Sequence, residues 1–389
     1  MKQNVFVLNQ MSERRNKLPV LYVKGTHYEV GYEIGWNFRN IIQDFLKTFS
    51  YLNDTLLPIY ESKIGKQEYE ETLLCTQNVF PQYIEELRGL SDGADVPFYK
   101  LFLIHIDGII THNEQDIIKS GKTGCSSILI NIKNNFYLGH NEDALPETEN
   151  YTYIVNAHII DSQVGKRWNK TEEKFTAYCY AGDLPGYCMG YNKHGLIHSV
   201  NILWPKPTIS GRISCHFYCR ALLGAENLEE AISLLKGYGI GCGEGFGINL
   251  VYINNSKDIS MYNIEIAPSY KKQESETSIY KIPESSWNLH CNRYQRIKIE
   301  EKADLSSVRR EAKFCELPNP TNIKNLLNVL SDESDPEYKF FRSGNYGEKD
   351  IIKTLAVGVF DLNNHTWSIY TENPRKENQP LIKFSLDLT

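Results

Sequence analysis

The run Thr123-Gly124-Cys125-Ser126-Ser127, an apolar stretch and then Gly139-His140-Asn141-Glu142-Asp143 bring a nucleophile and several proton-handling groups close together in sequence. A thiol attacks as its thiolate, and free cysteine has a pKa of about 8.5, so Cys125 needs a base. A histidine would serve. So would a free α-amine, whose pKa is about 7.7–8.0, if Cys125 were the first residue of its own chain. In the intact chain that amine is locked in the Gly124–Cys125 amide. Attack of Cys125 on the Gly124 carbonyl would give a thioester, which water hydrolyses. Gly124 suits this role because it has no side chain and tolerates unusual φ values, and strain at the bond would assist. Cleavage would divide the chain into 1–124 and 125–389. The competing reading is that Cys125 is a buried strand cysteine.

Two other clusters invite chemistry and are read as structure. Cys215-His216-Phe217-Tyr218-Cys219 lies on a helical stretch without the second ligand pair of a zinc site, and reads as helix core. Gly241-Cys242-Gly243-Glu244-Gly245-Phe246-Gly247 precedes a strand rather than a helix, so it is a loop at a pocket edge and not a phosphate-binding turn. No metal and no cofactor are expected.

The elements that must position Cys125 fall into two halves. Before it, the pattern is helical. A short strand at Leu18–Gly25 leads into a capping box, Thr26 with Glu29. Apolar residues then recur at helical spacing from Tyr28 to about Tyr51, from Lys66 to Leu90 and from Phe98 to Ile110. Residues 111–123 are polar and lysine-rich, as an exposed, cleavable linker should be. After Cys125, Ser127–Ile132 and Phe136–His140 flank Lys133-Asn134-Asn135 as a hairpin. Further strands are expected near 151–160, 174–180, 187–192, 196–203, 247–253, 259–265, 354–360, 366–371 and 381–387. Helices are expected near 212–224, 227–236, 292–303 and 321–331, and 268–288 reads as a polar loop. The fold class is therefore α+β, in layers around one core.

Composition sets the limits. The 389 residues are 41% hydrophobic and 23% charged, with a formal net charge of −6 and no single-sign block, which excludes a typical nucleic-acid binder. No apolar stretch approaches the roughly 18 residues of a membrane span, and the N-terminus lacks the pattern of a secretory leader. Nine scattered cysteines suit free thiols in a reducing compartment. The expectation is a cytoplasmic protein with no membrane or nucleic-acid partner.

Several ordered motifs now carry a resemblance. Leu18-Pro19 through Gly31, Gly124-Cys125-Ser126-Ser127, Gly139-His140 with Glu142-Asp143, Tyr180-Ala181-Gly182 with Leu184-Pro185-Gly186-Tyr187, Asn192-Lys193-His194-Gly195-Leu196 and Thr354–Asp361 together resemble the acyl-coenzyme A:6-aminopenicillanic acid acyltransferase family of N-terminal nucleophile hydrolases. The likeness extends to its insect members that hydrolyse β-alanyl amines, and runs from about residue 18 to 372. It implies a four-layer αββα sandwich and self-cleavage after Gly124. The products would be a helical α fragment, 1–124, and a catalytic β fragment, 125–389, held as a heterodimer. It implies release of β-alanine from N-β-alanyl-dopamine and N-β-alanyl-histamine. The alternatives are acyl transfer from coenzyme A or hydrolysis of another N-acyl amine, and, from another class, an uncleaved and inactive binding protein.

The resemblance also assigns roles. Asp143 would hold the freed amine of Cys125, and Asn292, with Asn288 as rival, would donate to the oxyanion. His140 or Asn141 would add a hydrogen bond, Asn201 would line the pocket, and Lys353 stands nearest to a basic residue ahead of the late strand. Glu142 or Glu147 would receive a β-alanyl ammonium, since an acidic pocket attracts a cation. Each has a plainer reading, a turn carboxylate for Asp143 and a helix cap for Asn292.

Overall fold

The computed structural model describes residues 17–112, 124–162, 170–206, 208–302, 304–344, 352–377 and 379–388. The front segment opens with strand β1 (Val20–Gly25) and helix α1 (His27–Asn37). The capping box forms: Thr26 N–H donates to Glu29 Oε2 at 2.8 Å and Glu29 N–H to Thr26 Oγ1 at 3.3 Å. The first expected helix, Tyr28 to about Tyr51, is broken, because Phe38 leaves helical geometry between α1 and α2 (Arg39–Thr48). Short turns follow, a π-helical one at Leu52–Leu56 and α3 (Leu57–Glu61). The stretch read as one helix from Lys66 to Leu90 is also two, α4 (Lys63–Val79) and α5 (Pro81–Ala94). Pro81 explains the break: it lacks an N–H to continue α4 and fits the first position of α5. Helices α6 (Phe98–His105) and α7 (Asp107–Ile110) complete the segment. The linker expected at 111–123 lies mostly outside the described residues.

Two sheets stack beneath these helices. The first has the order β1-β4-β5-β6-β7-β8-β9-β10 and the second β11-β2-β3-β12-β13-β14. The first comprises β1 with β4 (Thr152–Ile160), β5 (Glu172–Tyr180), β6 (Met189–Asn192), β7 (Leu196–Leu203), β8 (Gly245–Ile253), β9 (Ile259–Ala267) and β10 (Glu276–Lys281). The second comprises β2 (Gly124–Ile132), β3 (Asn135–Ala144), β11 (Ser286–His290), β12 (Lys353–Asp361), β13 (Thr366–Tyr370) and β14 (Ile382–Ser385). Helices α8 (Cys215–Leu222) and α9 (Leu228–Lys236) follow β7 in sequence. Helices α10 (Leu305–Glu316) and α11 (Ile323–Leu330) belong to the outer layer of the second sheet, where Leu326, Val329 and Leu330 pack on Ile128, Ile130, Val357 and Val359. Leu129 and Leu138 instead join the large core between the sheets. Side chains of β2 and β3 therefore alternate between an inner and an outer apolar layer, giving a four-layer αββα sandwich.

Two expectations fail instructively. The expected helix at 292–303 does not form over the described 292–302, which are irregular, and the helix begins at Leu305. The supposed loop 268–288 contains β10 and most of β11. Strand β11 runs antiparallel to β2, with His290 opposite Ser127, so it delivers Asn292 to the start of β2.

The front segment is built into the rest. β1 pairs in parallel with β4, and the main core draws on residues from both sides of Gly124. Helices α1 and α5 cross at Gly31 and Gly35 against Gly89 and Gly93, where a Cβ on any of the four would overlap the opposing backbone. This close approach aims Glu86 inward. Arg220 on α8 donates to both Glu86 oxygens at 2.8 Å and to Glu173 at 2.7 Å, and His27 Nδ1 lies 2.9 Å from Glu86. All four side chains are buried. Burial alone would raise the Glu86 carboxyl, but Arg220 and His27 outweigh it and lower its pKa. Arg220→Ala would leave two buried carboxylates sharing His27 as their remaining ion-pair partner, and is expected to cost about 3–5 kcal/mol, read as a lower urea midpoint. An unchanged midpoint would remove this cluster from the forces joining the two segments.

Candidate active site

Gly124 and Cys125 are the first residues of β2, a central strand flanked by β11 and β3. The register sets Cys125 opposite Glu142 and Gly124 opposite Asp143. Asp143 is thus inside β3 rather than in a turn beyond it. Strand alternation sends Cys125, Ser127, His140 and Glu142 to the inner face, between the sheets. It sends Ser126, Asn141 and Asp143 toward the outer layer.

The backbone of Cys125 is held on both its polar groups. Its N–H donates to Asn292 Oδ1 at 2.9 Å, and its carbonyl accepts from Arg310 Nη1 at 2.6 Å. Arg310 is fully buried and also donates to Ser126 Oγ at 2.7 Å, Asn292 Oδ1 at 3.0 Å and Ser307 Oγ at 3.1 Å. Because a guanidinium only donates, Asn292 must present its oxygen to Cys125 and its nitrogen elsewhere. That nitrogen donates to the Ile202 carbonyl at 3.1 Å. Asn292 therefore meets the nucleophile as an acceptor. Of its side-chain hydrogens, only the second on Nδ2 is left for the donation the sequence reading expects.

On the outer side, Asp143 Oδ1 accepts from Thr354 Oγ1 at 2.6 Å, and Oδ2 lies 3.5 Å from Arg342 Nε. Arg342 also lies against Gly124, where a Cβ would overlap its guanidinium. The need for glycine at 124 is this close approach. A left-handed backbone is not involved, because Gly124 is not among the positive-φ glycines of the described residues.

Other expected residues divide. His140 is buried, with Nδ1 2.8 Å from Ser127 Oγ and Nε2 2.9 Å from Glu142 Oε2. Tyr180 donates to Glu142 Oε1 at 2.7 Å. Asn201 accepts from Ser127 Oγ at 2.9 Å, one layer behind the nucleophile. Asn141 points the other way and clamps the Leu330 and Phe340 carbonyls, both at 2.8 Å, so it serves the outer layer. Lys353 pairs with Glu149 at 2.7 Å, and it is Arg342 whose guanidinium approaches Gly124. Glu147 accepts from the backbone and hydroxyl of Ser50 at an exposed position. Asn288, the rival of Asn292, pairs with Leu129 within β11. Sequence reading did not single out Arg310, Arg342, Thr354 or Tyr180. Arg310, the second of an Arg309-Arg310 pair, and Arg342 sit in unremarkable contexts, while Tyr180 and Thr354 had signals only in the Tyr180-Ala181-Gly182 and Thr354–Asp361 motifs.

Cys125 opens on a pocket with about 650 Å³ of empty space, its mouth included. Phe45, Phe49, Ile104, Val200 and Ile202 supply its apolar wall, so both segments build it. Glu142, Asp143, Tyr180, Asp183 and Tyr187 supply its polar surface. Burial pushes the Cys125 thiol well above its ordinary pKa, and the Glu142 and Asp143 charges push it further. The Asp143 N–H and Arg310 pull it back only in part. A thiol in this setting stays protonated until a base reaches it. A second buried group, Cys215, His216 and Glu244, also gathers potential ligand atoms. Here Glu244 Oε1 accepts the Cys215 N–H at 2.9 Å at the start of α8, and the His216 ring stacks on Tyr187 at 3.8 Å.

Comparison with known proteins adds three findings. The sequence model of the family described as acyl-coenzyme A:6-aminopenicillanic acid acyl-transferase matches residues 130–376. Over 379 residues the chain is 41% identical to the beta-alanyl-dopamine/carcinine hydrolase of Drosophila melanogaster, covering 96% of this chain and 97% of that one. The solved structure of penicillin V acylase from Agrobacterium tumefaciens is similar over 64% of this chain and 82% of that chain, at 11% identity and a TM-score of 0.38.

In a chain still joined at Gly124–Cys125, iodoacetamide near neutral pH is expected to label exposed Cys315 and half-buried Cys75 well before Cys125. Removing one of the neighbouring charges with Glu142→Gln should speed labelling of Cys125, because it removes a cause of the raised pKa. Peptide mapping by mass spectrometry reads both.

Proposed function

The chain belongs to the acyl-coenzyme A:6-aminopenicillanic acid acyl-transferase family, and on that premise we propose that it is a self-cleaving cysteine amide hydrolase of the cytoplasm. Its substrates are N-β-alanyl-dopamine and N-β-alanyl-histamine (carcinine), which it splits into β-alanine and dopamine or histamine. One observation carries the reading. Cys125, at the floor of an acidic pocket, has its backbone N–H fixed on Asn292 Oδ1 and its carbonyl on Arg310. The near end-to-end likeness to a hydrolase of these two amides supports the substrate class.

In the first reaction the Cys125 thiol attacks the Gly124 carbonyl. The C–N bond breaks, the nitrogen takes up the thiol proton as the new amine, and water releases the Gly124 carboxylate from the thioester. Asn292 Oδ1 already accepts from that nitrogen and would keep it oriented once it is an amine. Asp143, aligned by Thr354 and Arg342, adds the negative charge that favours an ammonium there. In the second reaction the amine removes the thiol proton as Sγ attacks the β-alanyl carbonyl, and returns it to the departing dopamine or histamine nitrogen. Water then hydrolyses the β-alanyl thioester. The second Nδ2 hydrogen of Asn292 is the candidate donor to the oxyanion in each step.

Transfer from an acyl-coenzyme A is the less favoured reading on electrostatic grounds. Glu142, Asp143 and Asp183 line the pocket, and a polyphosphate would meet them with like charge. After cleavage the parts would stay together through β1 on β4, the shared core and the Arg220 cluster.

Purified protein is expected to give denaturing-gel bands of about 14 and 30 kDa, in proportion to each fragment's share of the 44.8 kDa chain. Both should elute together in native gel filtration, and the larger should begin at Cys125. Cys125→Ala should remain one chain and turn over neither β-alanyl-dopamine nor carcinine. Normal cleavage or turnover in that variant would sink the mechanism, and a wild-type chain that stays intact and inert would favour the binding-protein reading. Gly124→Val should cleave at least tenfold more slowly, because its side chain must displace Arg342. Rates as fast as wild type would remove the close approach from the mechanism.

A further inference from the structure

Three acidic residues border the pocket, Asp143 with its carboxylate turned toward the outer layer, and they are matched differently. Asp143 has the Arg342 guanidinium 3.5 Å away, and Asp183 has His216 Nε2 at 3.6 Å. Glu142 meets no lysine or arginine side chain among the described residues, and its ion-pair partner there is His140. It is 5% exposed and sits directly across the strand from Cys125. One Glu142 oxygen, one His140 nitrogen and Cys125 Sγ lie within 4.8 Å of one another.

A chain of hydrogen bonds through both sheets fixes how Glu142 is held. It begins at Arg296, whose guanidinium donates to Asn263 Oδ1. Asn263 Nδ2 must then donate to Asn249 Oδ1, at 2.8 Å. Asn249 Nδ2 in turn donates to Asn201 Oδ1 at 2.7 Å and to Ser199 Oγ at 3.2 Å. Asn201 Oδ1 is therefore an acceptor and takes the single hydroxyl hydrogen of Ser127, at 2.9 Å. With that hydrogen committed, Ser127 Oγ accepts from His140 Nδ1–H. His140 Nε2 then lies 2.9 Å from Glu142 Oε2 and fixes its position. The opposite oxygen is fixed by the Tyr180 hydroxyl. Every link is buried or half-buried, and the orientation of the three amides is imposed by a group that can only donate; Ser127 Oγ also lies 3.1 Å from Ser199 Oγ. The result is an acidic group locked in place beside Cys125, with lone pairs left for one more donor and no lysine or arginine against it among the described residues.

We propose that Glu142, positioned by His140 and Tyr180, is the acceptor for the ammonium on the acyl side of the substrate, and so selects β-alanyl over uncharged acyl groups. The inference rests on the hydrolase reading above and deepens it. Reach is consistent with it. Two methylenes place the β-alanyl nitrogen about 3.8 Å from the carbonyl carbon, from standard bond lengths. A carbonyl carbon bonded to Cys125 Sγ can therefore set the nitrogen in hydrogen-bond range of Glu142. Ammonium supplies three donors, enough to meet Glu142 and a second pocket acceptor, and a charge-assisted bond in a dry pocket is stronger than a neutral one.

The experiment compares kcat/KM for N-β-alanyl-dopamine and N-butyryl-dopamine, its nearly isosteric uncharged counterpart. Wild type should prefer the β-alanyl amide, and Glu142→Gln should reduce that preference about 10- to 100-fold, the worth of a charged hydrogen bond. A second variant, Glu142→Asp, withdraws the carboxylate by one methylene. It should shift preference from β-alanyl toward the longer N-(4-aminobutanoyl)-dopamine. A merely structural role would lower all three substrates together. Appearance of the two cleavage bands reports folding of each variant, and if Glu142→Gln fails that check the Asp variant and Tyr180→Phe, which removes one donor from Glu142, carry the comparison. An unchanged preference in the folded variants overturns the proposal. A wild type that hydrolyses neither amide overturns the hydrolase reading instead.

Discussion

The buried guanidinium of Arg310 is the constraint on which the site depends. A charged group without water must have its donors met, and Arg310 meets them at the Cys125 carbonyl, Ser126, Asn292 and Ser307. Burial disfavours its charge, but Cys291, Asp304 and Asp143 outweigh that and raise its pKa. One side chain from α10 thereby ties together the start of β2, the chain leaving β11 and its own helix. It also dictates the orientation of the Asn292 amide, because two donors converge on one oxygen. The position of the nucleophile is thus set from the outer layer, through its backbone. Its thiol is left on the inner face for chemistry.

The pocket is assembled from both segments, and this shapes the consequences of a break at Gly124. Phe45, Phe49 and Ile104 come from the front segment, and Cys125, Glu142 and Val200 from the rest. A fragment that drifted away would take half of the apolar wall with it. The glycine-lined crossing of α1 and α5 packs the front segment tightly, and the Arg220 cluster opposes separation, since drifting apart would break the buried pairing of Arg220 with Glu86. A chain can therefore be cut beside its nucleophile and keep its binding surface, provided these contacts form before the cut.

Much of this frame was legible in the sequence because it rests on local signals. The capping box at Thr26, the apolar run of β2 and the hairpin at Asn134 are short-range patterns, and each forms as read. Cys125 stood out because it opens such a run. Arg310 and Arg342 did not, since their partners are far away in sequence, Cys125 185 residues from Arg310 and Asp143 on a distant strand from Arg342. No local pattern marks an arginine whose role is set by tertiary packing. Strand β11 was hidden for a related reason. Its side chains are half-buried at a sheet edge, so Ser286-Trp287-Asn288 shows no clean alternation. Missing that strand put Asn292 on a helix that does not exist. Its contact with Cys125 follows from the strand before it and from Arg310, not from a cap. Arg342 was hidden too, because a bridge between Ser343 and Lys353 brings the arginine's loop alongside the late strand, which sequence order conceals.

The acidity of the pocket links selectivity to reactivity. Glu142 and Asp143 raise the Cys125 thiol because a thiolate beside two carboxylates is repelled. An empty pocket therefore holds a nucleophile that is difficult to ionise, which protects it from incidental alkylation and oxidation. In the proposed complex a substrate ammonium at Glu142 cancels the larger of those two repulsions in the same low-dielectric space. The thiolate then costs less with the cationic acyl group in place than without it. An uncharged acyl group would fill the same volume and leave the thiol as difficult to ionise as before. Discrimination would consequently fall on the chemical step as well as on binding, since the group that is recognised also supplies the charge the nucleophile lacks.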